Sequence, residues 1–484
     1  KFNRFMPGST IILTCKTGVW AIHLLCWPTY PIFTKKNSMR KLPFYLIYIL
    51  MPVALLSSCQ PTAPKVEETT DKKPDIADVE QGIRAFIDRE TEARQGYFHV
   101  ENDSLDLDLK LVRVHTEYLS VLGPNEFFAC VDLATSDGDV YDVDFFLTGE
   151  VGNMDVTRTD IHKRNGQPFY TWKRKEDNTW HTVPVEQASS ELLGVLQGKD
   201  EFIFHYTVKV PKLNATTRIW LPIAQSDRFQ EVALLNVSLP GTYQELRDEQ
   251  YGNMTLFAEL SPEQTGQTIQ LDYRVTRLEK GTYLEDDSDM HLYVSETPLL
   301  PVGGRFDTLA REIIHEREAT TPLMQARALY DYVVDNVRYA KQGTYGTADA
   351  NFACDAKSGN CTEFHSLFIS LARSAGIPAR FGVGAAIPSE RNEGGTDGYH
   401  CWAEFYAEGK WWPVDISEAN KYSNLATYYF GHHPANRIEF SKGRNITFSP
   451  GPESGAIPFF VYPILEVADE SMASAKTSFT FERQ

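Results

Sequence analysis

The stretch that most constrains the fold is residues 398–417, GYHCWAEFYAEGKWWPVDIS, which reads as two alternating strands joined at Glu408-Gly409. A two-residue turn there sets His400 opposite Ser417 and Trp402 opposite Asp415. His400 and Asp415 then share one face as diagonal neighbours, with Cα atoms about 7 to 8 Å apart, so an imidazole nitrogen can meet a carboxylate oxygen. A one-residue slip would swing Asp415 to the other face. Pro413 supplies no ladder donor, so the return strand is expected at an edge or with a bulge.

Upstream, GNCTEFHSLFISLARSAGIPARFGVG at residues 359–384 places Phe364, Phe368, Leu371 and Ala375 at helical spacing, and Gly376 with Pro378 ends the helix. Cys361 falls in the first turn, where unpaired backbone N–H groups and the helix dipole favour a thiolate. The dipole supplies at most about 2 kcal/mol, roughly one and a half pKa units, so an activated thiolate also needs a paired imidazolium. Of the nearby histidines, His365 lies along the same helix and reads as a core residue, and His432 and His433 read as a loop pair. His400 is the one with an acid beside it.

These residues resemble the transglutaminase-like superfamily: the 359–384 segment is similar to its nucleophile helix, YHCWAEFY (399–406) to its histidine strand, and KWWPVD (410–415) to its aspartate strand. The resemblance implies an α+β, papain-like core over 301–468. It also implies Cys361 as nucleophile, His400 as general base and acid, and Asp415 as the group that orients His400. Gln342 and Tyr345, on the loop before the helix, are candidates for the second oxyanion donor beside the Cys361 N–H. No tryptophan lies between Trp220 and Trp402, where animal transglutaminases have one that helps stabilise the oxyanion, and no calcium loop of EF-hand type is read. Both absences argue against cross-linking. No cofactor and no catalytic metal are expected.

The rest of the chain is read as a series of further segments. Residues 1–38 are expected to be an upstream extension. Residues 39–59, MRKLPFYLIYILMPVALLSSC, have the layout of a secretory signal, and the ending LSSC resembles a lipobox, which implies lipid on Cys59 and a membrane anchor. Gln60 after the cysteine lacks an inner-membrane retention acid, so the expected site is the cell envelope, at the outer membrane of a Gram-negative bacterium. Residues 60–75 read as a polar linker. Residues 76–186 read as a small α+β domain, with Ile76, Val79, Ile83, Phe86 and Ile87 on one helix face before alternating strands, and residues 187–300 as a β-sandwich. A tail is expected over 469–484.

The chain carries a net charge of −18. No basic cluster in the folded region is dense enough to neutralise phosphates, which excludes nucleic acid as the expected partner. The expected activity is cysteine-dependent acyl transfer on a protein or peptide-like amide, through a thioacyl intermediate that is hydrolysed or passed to an amine. Two other readings stand beside it. One is a surface lipoprotein that uses this fold only for binding. The other is a zinc module built from Cys354, Cys361, His365, His400 and Cys401, although these residues include no C-x-x-C or H-x-x-x-H pair.

Overall fold

Asp75 opens the first helix, accepting from the backbone N–H groups of Ala77 and Asp78 at 3.1 and 3.2 Å. This helix, α1 (Ile76–Glu92), buries Val79, Ile83 and Ile87 against an antiparallel six-stranded meander. The strands are β1 (Phe98–Glu101), β2 (Asp106–Gly123), β3 (Glu126–Ala134), β4 (Val140–Glu150), β5 (Asn153–Arg164) and β6 (Gln167–Pro168). Ala129, Val131, Leu133, Val143 and Phe145 face α1. Their alternate neighbours Cys130, Asp132, Asp142 and Asp144 are polar yet also buried. The computed structural model describes residues 74–484 apart from 93, 102–104, 124, 175–179, 185–193, 286–288, 342–343, 468–469 and 472–474. Cys59 with its leader, residues 60–73 of the linker, and Gln342 lie outside the described residues.

Two five-stranded sheets follow as a sandwich. One holds Tyr243–Arg247, Met254–Leu260, Thr217–Ile223, Ile464–Val467 and Glu470–Ser471; the other holds Gln230–Ser238, Thr268–Leu278, Lys199–Lys209, Lys476–Arg483 and Glu393–Gly395. The tail expected over 469–484 is therefore a correction, because Lys476–Arg483 pairs antiparallel with Phe202–Lys209 along its whole length. Its alternation turns Phe479 and Phe481 inward, with Phe479 5.0 Å from Tyr206 and 5.5 Å from Phe204 between ring centroids. Ile464–Val467, assigned from sequence to the catalytic domain, likewise pairs with Thr217–Ile223. One apolar cluster runs from the sandwich into the helices beyond it.

Removing residues 475–484 strips Lys199–Lys209 of one of its two paired strands and takes away Phe479 and Phe481, each of which contributes about 1.5 to 3 kcal/mol on burial. A large fall in the urea midpoint is expected, and an unchanged midpoint would contradict this account of the C-terminal strand.

The third part opens with helices Gly304–Glu316 and Pro322–Asn336; Thr321 caps the second by accepting from Met324 N–H at 3.3 Å. Its four-stranded sheet runs Lys410–Val414, His400–Ala407, Ala379–Ala386, Arg437–Lys442. Ala403 pairs with Val414 and Ala407 with Lys410, the register expected from the two-residue turn. Glu408 and Gly409 both have positive φ, 53° and 77°, as a two-residue hairpin loop of the primed kind requires. Pro413 sits in the edge strand opposite Glu404 without a bulge. The ladder stops at Val414, so Asp415 is not a strand residue facing Trp402 but the N-cap of the short helix Ile416–Lys421.

Candidate active site

Asn360 and Glu363 build the start of the cysteine helix, Cys361–Ser374. The Asn360 side chain accepts from Thr362 N–H at 2.9 Å, and Glu363 accepts from Asn360 N–H at 2.9 Å, a reciprocal capping box. Glu363 also accepts from Gly346 N–H at 3.0 Å, Thr347 Oγ1 at 2.9 Å and Ala348 N–H at 3.0 Å. One buried carboxylate thus fastens the preceding loop to the Cys361 end of the helix. The helix is buried on every face from Cys361 to Arg373, beyond the stripe of Phe364, Phe368 and Leu371. Two of its polar side chains find partners inside, Ser366 donating to Ala348 O at 3.0 Å and Arg373 donating to Ala379 O at 2.9 Å, while the buried Ser370 hydroxyl has none.

His400 opens the neighbouring strand, and its Nε2 lies 2.7 Å from Asp415 Oδ2. The other ring nitrogen, Nδ1, is left for the Cys361 sulfur, which lies close enough for the two groups to shift each other's titration. The structure therefore brings Cys361, His400 and Asp415 together from a helix, a strand and a helix cap. Burial pushes the Cys361 thiol up, but donation from the Cys401 thiol and from His400, the His400 charge and the Cys401 N–H overcome it and lower the thiol to about 5. Burial pulls the His400 imidazole down, and the Asp415 charge and hydrogen bond reverse this and push it up to about 9. At neutral pH the pair is a thiolate and an imidazolium.

Asp415 is wholly buried, which alone would favour its neutral form, yet the His400 and Arg437 charges hold it well below the usual carboxylate range. Arg437 Nη2 lies 2.6 Å from Asp415 Oδ2, while Oδ1 accepts from Ser417 Oγ and Glu418 N–H at 3.1 Å each. His365 braces the same corner: its Nδ1 bonds Cys361 O at 2.7 Å and its Nε2 accepts from Ile416 N–H at 3.1 Å. Burial lowers His365 to about 4, so it stays neutral and braces the helix that carries Cys361 against the cap that carries Asp415.

Residues 307–416 match the family model of the transglutaminase-like superfamily. The chain carries a transglutaminase-like domain. The matched span runs from the first helix of this part to the residue after Asp415, and so contains all three groups. A Haemophilus influenzae protein, described as uncharacterized, is 28% identical over 57% of this chain and 87% of its own. A crystal structure from Cytophaga hutchinsonii, provisionally described as a cysteine protease, aligns at 16% identity over 59% of this chain and 99% of that one, with a TM-score of 0.38. A second, from Parabacteroides distasonis and provisionally described as a protease, aligns at 10% identity over 60% and 63%, with a TM-score of 0.20.

Within the transglutaminase-like domain, four contributors escaped the sequence: Arg437, Cys401, Glu363 and Tyr399. Tyr399 Oη accepts from Asn360 Nδ2 at 2.9 Å, beside the nucleophile. Tyr345 is 44% exposed on the loop that Glu363 fastens. The zinc set is a correction. Both His365 nitrogens are taken by backbone groups, and Cys354 lies 3.1 Å from Arg305 Nη2 instead of joining the others.

Proposed function

We propose that this chain is an extracytoplasmic cysteine acyl-transfer enzyme that cleaves an amide or peptide bond through a thioester on Cys361. The observation that carries this reading is the meeting of Cys361, His400 and Asp415 in one buried corner, with His400 Nε2 2.7 Å from Asp415 Oδ2. The thiolate attacks the substrate carbonyl, and the Cys361 N–H at the helix start stabilises the oxyanion. The His400 Nδ1 proton passes to the departing amine as the C–N bond breaks, leaving a thioester and a neutral imidazole. A water molecule then gives its proton to Nδ1 and its oxygen to the acyl carbon, which frees the acid and restores thiolate and imidazolium.

Cys361 and His400 are 2% and 6% exposed, and that near closure favours water over a bulky amine as acceptor. A lipid on Cys59 would place this chemistry on peptide-like substrates of the cell envelope. Mass spectrometry of the chain mixed with peptide and cell-wall amides tests the reading. An acyl adduct on the Cys361 peptide with amine release is expected, and amine release that survives Cys361→Ala would overturn it.

The pH dependence follows from the same pair. The thiolate forms as pH rises through about 5, and the imidazolium is lost as pH rises through about 9. The expected kcat/KM profile is a bell whose limbs belong to the coupled pair, with a plateau through neutrality. A profile still rising between pH 8 and 9 would show a neutral thiol at rest.

A further inference from the structure

The buried polar face of the first sheet has no role in the acyl transfer. Among the described residues, one group of histidine, cysteine and carboxylate side chains converges closely enough to hold a metal ion: Cys130, Asp142, Asp144 and His162, with one donor atom from each lying within 4.8 Å of all the others. Cys130 and Asp144 are directly paired across β3 and β4, and Asp142 stands two residues from Asp144 on the same face. His162 joins them through a bulge: Asp142 pairs with Lys163 and Val143 with Ile161, which leaves His162 as the extra residue of β5.

The donors surround a common centre. Cys130 Sγ and His162 Nδ1 lie 3.2 and 3.4 Å from the same oxygen, Asp144 Oδ1. Zinc bonds of about 2.0 to 2.3 Å make tetrahedral edges of about 3.3 to 3.8 Å, so small inward shifts complete the site. Asp142 is 8% exposed, and its Oδ1, like His162 Nδ1, is a buried atom that completes no hydrogen bond. The outer oxygens are already held, with Lys163 Nζ donating to Asp142 Oδ2 and Tyr170 Oη donating to Asp144 Oδ2 at 2.6 Å. The His162 ring stacks on Tyr170, with centroids 4.6 Å apart. Held outer oxygens and a fixed imidazole are the supports that metal ligands need.

We propose that Cys130, Asp142, Asp144 and His162 form a closed structural site for a zinc-class divalent ion that ties β3, β4 and β5 together. A sulfur, an imidazole nitrogen and two carboxylates suit zinc, whereas calcium and magnesium take all-oxygen sets. Binding forms the metal–sulfur bond as the Cys130 thiol proton leaves to solvent. Two carboxylates, one thiolate, the Lys163 ammonium and the dication then carry no net charge. Asp142 and Lys163 also line a cavity of about 940 Å³ between this sheet and helix Pro322–Asn336, which gives the ion a way in.

The test is zinc loading of the full chain, dialysis and metal analysis, with cobalt(II) as a spectroscopic probe. One zinc per chain is expected, together with a thiolate-to-cobalt charge-transfer band that Cys130→Ser removes and Cys361→Ser leaves intact. His162→Ala should weaken zinc binding at least tenfold. If Cys130→Ser does not fold, the native chain with Cys361 blocked by iodoacetamide still decides, since its cobalt band must persist. Failure of the native chain to retain zinc, or a band lost on blocking Cys361, would overturn the proposal.

Discussion

Cys361→Ala and His400→Ala are each expected to lower the rate of amide cleavage by about 10⁶-fold, the loss seen when a nucleophile–base unit is broken. The double variant should be little worse than either single one, because sulfur and imidazole act as one ion pair. Asp415→Asn should cost less, since it leaves the nucleophile in place but misorients His400 through the 2.7 Å contact. Additive losses in the double variant, measured on the same amide substrate, would mean that the two residues do not work together.

Glu404→Ala should produce a large fall in stability for a single substitution, about 3 to 5 kcal/mol for a broken buried pair. Lys280 Nζ and Tyr283 Oη each lie 2.8 Å from one of the Glu404 oxygens, and Arg380 Nε lies 2.7 Å from Oε2. Lys280, Arg380 and Glu404 are all nearly inaccessible to water. Glu404 stands four residues beyond His400 on the same strand, while Lys280 and Tyr283 belong to the chain leaving the sandwich. The carboxylate therefore fastens the histidine strand to the preceding domain. Glu404→Gln keeps the shape but leaves Arg380 only Glu285 and Lys280 only the more distant Glu439 as counter-charges, so it should fall between wild type and Glu404→Ala in urea unfolding. A Glu404→Ala midpoint equal to wild type would refute this network's role.

The triad residues were legible because each is announced by local chemistry. Gly376 ends one helix and Glu408-Gly409 fixes one hairpin register, so Cys361 and His400 could be placed with respect to their own elements, whereas Asp415 was expected on the return strand and is a helix cap. What could not be read is whatever depends on contacts distant in sequence. Arg437 reaches Asp415 from a strand on the far side of the sheet, and nothing around it distinguishes it from an ordinary strand arginine. Cys401 looked like a strand cysteine because only packing brings its thiol against the cysteine helix, 3.6 Å from His365 Nδ1, where it helps lower the Cys361 thiol.

The C-terminal strand was missed for a related reason. Its alternation is short, and its partner, Lys199–Lys209, lies more than half the chain away. The cluster in the first sheet had a readable signal that went unused. The turn residues between β3 and β4 set Cys130 opposite Asp144 and Asp132 opposite Asp142, so aligning the two strands on that turn exposes an acid and thiol stripe. The bulge that brings His162 into it has no such mark.

The most direct test of the central claim is the rate at which iodoacetamide alkylates Cys361 as pH is varied, in the native chain and in His400→Ala. The ion pair predicts a rate that climbs through an apparent pKa near 5 and stays level through neutrality, with the variant moving toward the ordinary thiol value of about 8.5. A native rate that itself climbs through about 8.5, with no change in the variant, would contradict it.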